Sequence, residues 1–140
     1  MISLRLVLDT NVVVSAALKP EGLQRTIVLL AMSKPVHWYA SSAILSEYAE
    51  LLARPELDIR RSVQRQLLQS IRNHVRVITP SRLATVTSDP DDNIFIECAD
   101  AARADYLITG NPRHFPKFWK NTKIITTREF LGIMGPHLIG

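Results

Sequence analysis

The chain has 140 residues, 46% of them hydrophobic and 21% charged, which suits one folded domain spanning 1–140 and excludes a disordered chain. It has no apolar run near the roughly 20 residues that cross a bilayer, and its start enters a patterned segment directly, so we expect a cytoplasmic protein without membrane association. The net charge of +4 favours a polyanionic partner, above all nucleic acid, and the single Cys98 excludes an internal disulfide.

The first part of the chain alternates apolar runs of strand length with helical patterns. The first strand ends in a carboxylate, Asp9, after which the chain turns into a helix. Ser41 and Ser42 are cap-type residues in front of a further helix, and this helix carries Glu47. The predicted order is a strand over 5–9, helices over 12–18 and 23–32, a strand over 36–40 and a helix over 43–53.

In the rest of the chain, Asp58 is predicted to cap the longest helix, which carries an arginine-rich face. Thr126 and Glu129 have the spacing of a capping box for a last short helix. The remaining predictions are a short strand over 75–79, a polar connection over 80–90, a helix that Asp92 immediately precedes and that runs to about 104, and strands over 106–109 and 123–126. Strands alternating with helices predict an α/β fold with a mainly parallel central sheet flanked by helices.

Polar residues follow several of the predicted strands. In open α/β sheets, functional groups gather beyond the carboxyl ends of the strands, which selects Asp9, Asn111 and the pair at 126–127. Glu47 and Asp92 come from helices. If the fold brings these carboxylates into one cleft, their mutual repulsion costs stability unless a cation neutralises them.

The chemistry of this set favours a hard cation. Carboxylate and amide oxygens match Mg²⁺ or Mn²⁺, whereas the absence of paired His and Cys argues against zinc. Such an ion supplies an activated water and stabilises the leaving oxygen of a phosphodiester, so hydrolysis needs no protein nucleophile. Basic residues elsewhere would then hold the nucleic-acid backbone.

Each acidic residue also has a structural interpretation. Asp9 can simply cap the helix that follows it. Glu47, at the margin of an apolar helix face, needs a partner, and an arginine can be that partner. Among Asp89, Asp91 and Asp92, at least one is expected to cap the next helix.

Two basic groups are candidates for RNA contact, although a solvated helix face is the default interpretation of the first. In the second group, aromatic rings lie between the cations, which suits a platform for single-stranded RNA or, equally, rings that plug the core beneath a loop. The candidates are Arg61, Arg65, Arg72 and Arg76 in the first group, and Arg113, His114 and Lys117 in the second, where Phe115, Phe118, Trp119 and Lys120 also lie.

Four segments in chain order resemble the PIN domain, in particular proteins described as toxin components of prokaryotic toxin-antitoxin pairs related to the VapC ribonucleases. The segments are 6–11, 42–47, 89–93 and 104–111. The resemblance implies a Rossmann-like sheet, an endoribonuclease that depends on Mg²⁺ or Mn²⁺, a small antitoxin partner and frequent homodimerisation.

Carried over residue by residue, the resemblance makes Asp9, Glu47 and Asp92 the catalytic metal ligands. Thr10, Asn11 and Thr109 are expected to support them. The sequence departs from the family at Asn111, where many relatives have a fourth acidic residue. An amide oxygen still binds a metal or its water, so we expect one firmly held ion and a second that is held less tightly.

A second hypothesis is a PIN-fold module that binds RNA or protein but catalyses weakly, suggested by Asn111 and by the arginine-rich face. Other classes are disfavoured. No glycine pattern of a nucleotide-binding loop occurs, and no serine or Cys98 has an evident histidine partner. A phosphoacceptor receiver domain would need paired acidic residues early in the chain and a lysine after a late strand, and neither is present.

Overall fold

The structure is a computed structural model that describes residues 3–82 and 87–139, with side chains described up to residue 136. Two 3₁₀ turns, Pro55–Leu57 and Pro112–His114, lie between the regular elements. The strands are β1 Leu4–Leu8, β2 Val36–Ala40, β3 Arg76–Val77, β4 Tyr106–Ile108, β5 Phe118–Trp119 and β6 Thr122–Ile125. The helices are α1 Thr10–Leu18, α2 Leu23–Ala31, α3 Ser42–Leu52, α4 Arg61–His74, α5 Pro90–Ala102 and α6 Thr127–Ile139.

The strands form one sheet in the order β3-β2-β1-β4-β6-β5. All neighbouring pairs run parallel except β5 and β6, which are antiparallel. The predicted α/β fold with a mainly parallel sheet is therefore confirmed. β1 lies in the interior of the sheet, between β2 and β4, so the residue after β1 emerges at the middle of the sheet's carboxyl edge.

The core confirms that helices flank the sheet. Leu6, Val7 and Leu8 follow one another along β1 and are all 0% exposed. Because successive strand residues point to opposite faces, such a run is buried only when both faces are covered. Cys98 lies in this core on α5, and burial raises the pKa of its thiol to about 12, which makes it a packing residue and not a nucleophile.

The predicted capping box at the start of α6 is confirmed. Thr126 Oγ1 accepts a hydrogen bond from the backbone N–H of Glu129, and Glu129 Oε1 accepts one from the backbone N–H of Thr126, both at 3.1 Å. The prediction that Asp58 caps the longest helix is wrong. Asp58 adopts the left-handed conformation, with φ 51°, at the end of the first 3₁₀ turn, and α4 begins three residues later without a side-chain cap.

One strand was not predicted from the sequence, and one predicted segment is only partly described by the structure. β5 was not predicted, because two residues are too short for a periodic signal and its pairing with β6 depends on the tertiary fold. The polar connection predicted over 80–90 lies partly outside the described residues.

No helix in the described part of the chain combines the length and the apolar character that crossing a membrane requires.

Candidate active site

Asp9 lies at the centre of the candidate site. It follows β1 directly, and its backbone N–H donates to the carbonyl of Ile108 on β4 (2.9 Å), which ties it to the carboxyl edge of the sheet. Its Oδ1 accepts from the backbone N–H of Thr10 (2.8 Å), and its Oδ2 accepts from Thr109 Oγ1 (2.7 Å). Asp9 is also the N-cap of α1, so the capping role and the strand-end position coexist in one residue.

The carboxyl of Asp9 is 7% exposed and has a raised pKa. Burial is the main cause, because an ionised carboxylate loses its hydration, and the charge of Asp92 adds to the rise. The hydrogen bonds from Thr109 and Thr10 and the proximity of His114 oppose it. The folded protein thus holds a carboxylate whose negative charge is incompletely compensated.

Glu47 faces this carboxylate from α3. Its partner is the hydroxyl of Thr10, which donates to Glu47 Oε2, and not the arginine that the sequence allowed. Thr10 therefore connects the two carboxylates, since its backbone N–H binds Asp9 and its side chain binds Glu47. Desolvation raises the pKa of Glu47, and the charges of Asp9, Asp91 and Asp92 raise it further.

Asp92 lies in the first turn of α5, and its neighbours take the roles that the sequence left open. Asp89 is the N-cap, because its Oδ1 accepts from the backbone N–H of Asp91 (2.9 Å). Asp92 Oδ2 lies 3.6 Å from His114 Nδ1, beyond hydrogen-bond distance. Burial and the charge of Asp89 raise the pKa of Asp92, and the charge of Asp92 contributes to the raised pKa of Asp9.

Tyr48, the residue after Glu47 on α3, supports the site from the core. Its hydroxyl, fully buried beside Trp38, donates to the carbonyl oxygen of Leu8 (2.5 Å), the residue immediately before Asp9. The bond joins α3 to the end of β1, next to Asp9. A buried tyrosine hydroxyl needs a partner, which was the available signal, but the sequence does not identify that partner.

The predicted supporting residues connect the site to the loop after β4. Thr109 Oγ1 donates to Asp9 and accepts from the backbone N–H of Asn111 (3.0 Å). Asn11 Oδ1 accepts from the backbone N–H of Gly110 (3.1 Å). The side chain of Asn111 is exposed at the start of the second 3₁₀ turn. Its predicted metal contact stays a prediction.

The chemistry of these donors fits a hard divalent ion. The side chains offer carboxylate oxygens with unused acceptor capacity. Burial is the main cause of the raised pKa values of Asp9, Glu47 and Asp92, neighbouring carboxylates raise them further, and a cation would offset that repulsion. Within residues 3–82 and 87–136, no three His, Cys, Asp or Glu side chains are arranged as a complete ligand cluster. A magnesium-like ion does not require one, since it keeps several waters and binds through one or two carboxylates.

A depression of about 350 Å³ adjoins the site between α3 and α5. Glu47 lies in its wall and is shared with the carboxylate cluster, so the depression opens beside the predicted metal ligands. Its lining consists of Ala43, Ser46, Glu47, Glu50, Leu51, Arg54, Asp91 and Ile94.

The two basic groups lie in different parts of the fold. Arg61, Arg65 and Arg72 are exposed along one side of α4, and Arg76 is exposed on β3, the edge strand farthest from β5. In the second group, His114 lies beside Asp92. Arg113 and Lys117, one and three residues from His114 along the chain, are exposed. RNA binding by either group stays a prediction.

A protein-family model described as "PIN domain" matches residues 5–113. The chain belongs to the PIN-domain family. The uncharacterized protein MJ1680 of Methanocaldococcus jannaschii is 30% identical over 142 residues, which cover 93% of this chain and 91% of that protein. A chain in the crystal structure of VapBC2 from Rickettsia felis bound to a DNA fragment from their promoter shares the fold, with a TM-score of 0.58 and 16% identity over 87% of this chain and 98% of that one.

The family gives the carboxylates a context. PIN domains are generally nucleases, and PIN nucleases generally use divalent metals. The match runs from within β1 to within the second 3₁₀ turn and so includes Asp9, Glu47 and Asp92. The substrate, the metal ion and the partners of this chain are matters of proposal.

Proposed function

We propose that this PIN domain is an endoribonuclease that depends on Mg²⁺ or Mn²⁺ and hydrolyses RNA phosphodiester bonds. The observation that carries the proposal is Asp9: a buried carboxylate at the carboxyl end of a central strand, with a raised pKa and with Glu47 and Asp92 in electrostatic range. Carboxylates within electrostatic range of one another repel, and a bound cation would remove that repulsion.

In this mechanism, Asp9, Glu47 and Asp92 would hold the ion. When bound, the ion supplies Lewis acidity and an activated water for attack on the phosphodiester. Thr10 and Thr109 orient Asp9 through its two oxygens, and Thr10 also orients Glu47. Asn111, in place of a carboxylate, leaves the site with less negative charge, so one ion is held firmly and a second binds weakly.

Cleavage of RNA tests the proposal directly. We expect the purified protein to cut single-stranded RNA with Mn²⁺ and to lose this activity with EDTA. The Asp9→Asn variant should be inactive, because the amide removes a charged ligand while it keeps the shape of the side chain. Glu21→Gln, an exposed acidic residue outside the site, is the matched control and should cut like the original protein. Equal cleavage by Asp9→Asn would refute the assignment.

We further propose that the protein is the toxin of a toxin-antitoxin pair, acts in the cytoplasm as a homodimer and is inhibited by a small antitoxin. The support is the PIN family together with a fold shared with a chain of the VapBC2 complex. Induced expression should arrest growth, Asp9→Asn should not, and co-expression of the product of an adjacent small gene should restore growth. Normal growth at high levels of the active protein would count against a toxin, and light scattering would test the dimer.

The alternative is a PIN-fold module that binds RNA or protein but catalyses weakly. Two observations favour it: Asn111 replaces an acidic residue, and the described residues hold no complete ligand cluster. Calorimetry with Mn²⁺ separates the two functions. Metal binding that Asp92→Asn abolishes supports the nuclease, and RNA binding that is indifferent to Mn²⁺ and occurs without cleavage supports the module.

A further inference from the structure

The edge strand β5 exposes an aromatic ring. Phe118 is 61% exposed. Among the described residues, the exposed large apolar side chains are Leu18, Leu29, Val77 and Phe118, and Phe118 is the only aromatic one. A single exposed apolar side chain is ordinary on a protein surface, so the residues around the ring decide whether it is a binding site.

The neighbouring rings have a different role. Phe115 is 7% exposed and belongs to the core, and Trp119 is partly buried against it. These two rings anchor the segment, which answers the question that the sequence left open: they plug the core, while Phe118 does not. The anchors hold the backbone of β5 against β6, so Phe118 is presented on a fixed strand.

Two exposed lysines are neighbours of this ring. Phe118 is paired with Lys123 across the antiparallel ladder, so the two side chains lie side by side on one face of the sheet. Lys117 precedes it, and both lysines are exposed. Residues 106–128 contain no acidic residue. Within the part of the chain that the structure describes, Lys117 and Lys123 form no salt bridge, whereas Lys120 is bound to Asp100 at 2.9 Å.

The position of Phe118 relative to the carboxylates suits a bound polymer. β5 lies three strands from β1 in the sheet, and Lys123 aligns through Tyr106 with Leu6, three residues before Asp9. With strands about 4.8 Å apart and a rise of about 3.3 Å per residue, Phe118 lies roughly 17 Å from Asp9. The second 3₁₀ turn, which brings His114 to Asp92, connects the two places along the chain.

We propose that Phe118 is a stacking site for one base of a single-stranded RNA, a few nucleotides from the bond that is cut, with Lys123 and Lys117 on the adjoining phosphates. The proposal rests on the proposed ribonuclease function and adds a specific site to it. Aromatic stacking combined with free cations is the arrangement that binds single strands without reading their sequence. A second protein chain would cover the ring as well, but the unpaired lysines favour a polyanion.

Binding of a fluorescein-labelled 12-nucleotide oligoadenylate to the full chain in EDTA tests the site without cleavage. Phe118→Ala should raise the Kd about tenfold, the usual effect of removing one stacked ring, and Phe118→Trp should restore binding. Leu29→Ala, which removes an exposed apolar side chain on α2 (50% exposed), is the control and should leave the Kd unchanged. An unchanged Kd for Phe118→Ala, or an equal loss for Leu29→Ala, would overturn the proposal.

Salt dependence tests the lysine. Lys123→Ala should reduce the slope of log K against log[salt] by about 0.7, the value for one phosphate contact on a single strand. Lys123→Arg should keep the slope, because it keeps the charge. An unchanged slope in Lys123→Ala would refute the phosphate contact.

The outcomes also separate this proposal from the nuclease function. With Mn²⁺, Phe118→Ala should raise KM more than it lowers kcat. RNA cleavage by the original protein, together with binding that is indifferent to Phe118, overturns the stacking site alone. Binding that depends on Phe118 without any cleavage overturns the nuclease and keeps the site. A change of oligomeric state in Phe118→Ala at unchanged RNA affinity would show that the ring contacts a second copy of the chain instead.

Discussion

At the scale of the residue, Asp9 combines two demands that oppose each other. Its oxygens accept from Thr10 and Thr109, which favours the ionised form, while burial and Asp92 disfavour it more strongly and raise its pKa. Perturbed pKa values cluster at functional sites, which agrees with the position of Asp9 at the carboxyl edge of the sheet. The ionised carboxylate of Asp9 therefore lowers the free energy of unfolding of the metal-free protein at neutral pH.

We expect Asp9→Asn to raise the melting temperature of the metal-free protein by a few degrees at pH 7.5. The folded state holds the proton of Asp9 more tightly than the unfolded state does. Stability that depends on this group is thus present at low pH and is lost as the pH rises above the ordinary carboxyl range. The gain from the amide should shrink toward pH 4.

Thermal unfolding in EDTA across pH 4 to 8 measures this effect. Asp105→Asn is the matched control, since Asp105 is exposed and accepts a hydrogen bond from the backbone N–H of Arg5. It should show no gain that grows with pH. A loss of stability in Asp9→Asn at pH 7.5 would show that the hydrogen bonds outweigh the burial of the charge.

At the scale of the element, helix α3 carries two residues that build the candidate site. It carries Glu47 toward Asp9, and it carries Tyr48 toward the end of β1. Its start is fixed by Ser41, whose hydroxyl accepts from the backbone N–H of Ile44 (3.2 Å). Helix α3 thus brings together the Ser41 cap at its start, the carboxylate of Glu47 and the buried hydroxyl of Tyr48.

Ser41→Ala should destabilise the protein by about 1 kcal/mol, the usual cost of losing a side-chain cap, and lower its melting temperature by about 3 °C. Ser42→Ala is the matched control, because Ser42 is exposed at the first position of α3. That change should stay within about 0.5 kcal/mol. Urea unfolding of the two variants measures the difference, and equal effects would contradict the capping role of Ser41.

At the scale of the whole molecule, acidic and basic residues are separated along the chain. Residues 59–88 and 106–128 carry no acidic residue, whereas the carboxylates of the site come from three segments between and before them. The fold places basic surfaces at both edges of the sheet, on β3 and near β5, with Asp9 between them at the carboxyl edge. A cation bound at the carboxylates would reduce their repulsion.

Manganese should therefore stabilise the folded protein. An excess of 100 times the Kd adds about 2.7 kcal/mol, which corresponds to several degrees in melting temperature. The shift should be larger at pH 7.5 than at pH 5.5, because raised pKa values keep Asp9, Glu47 and Asp92 more protonated at the lower pH. Asp92→Asn should reduce the shift and Glu21→Gln should not; identical shifts in both variants would place the ion elsewhere.

The sequence by itself determined the elements and the candidates. Apolar periodicity and cap residues are local signals, so they predicted β1, α3, the capping box of α6 and the parallel arrangement, and strand-end position selected Asp9. The cap at Asp58 failed for a local reason as well: the chain there turns through a left-handed conformation, which a cap-type residue equally permits.

Only the tertiary structure decided which of these residues meet. The bond from Thr109 to Asp9 joins positions 100 residues apart, and the bonds from Thr10 to Glu47 and from Tyr48 to Leu8 join different elements. It also assigned the cap to Asp89 and left Phe118 in solvent while Phe115 was buried. Such contacts depend on how elements pack against each other, and the local periodicity that identifies an element does not contain that information.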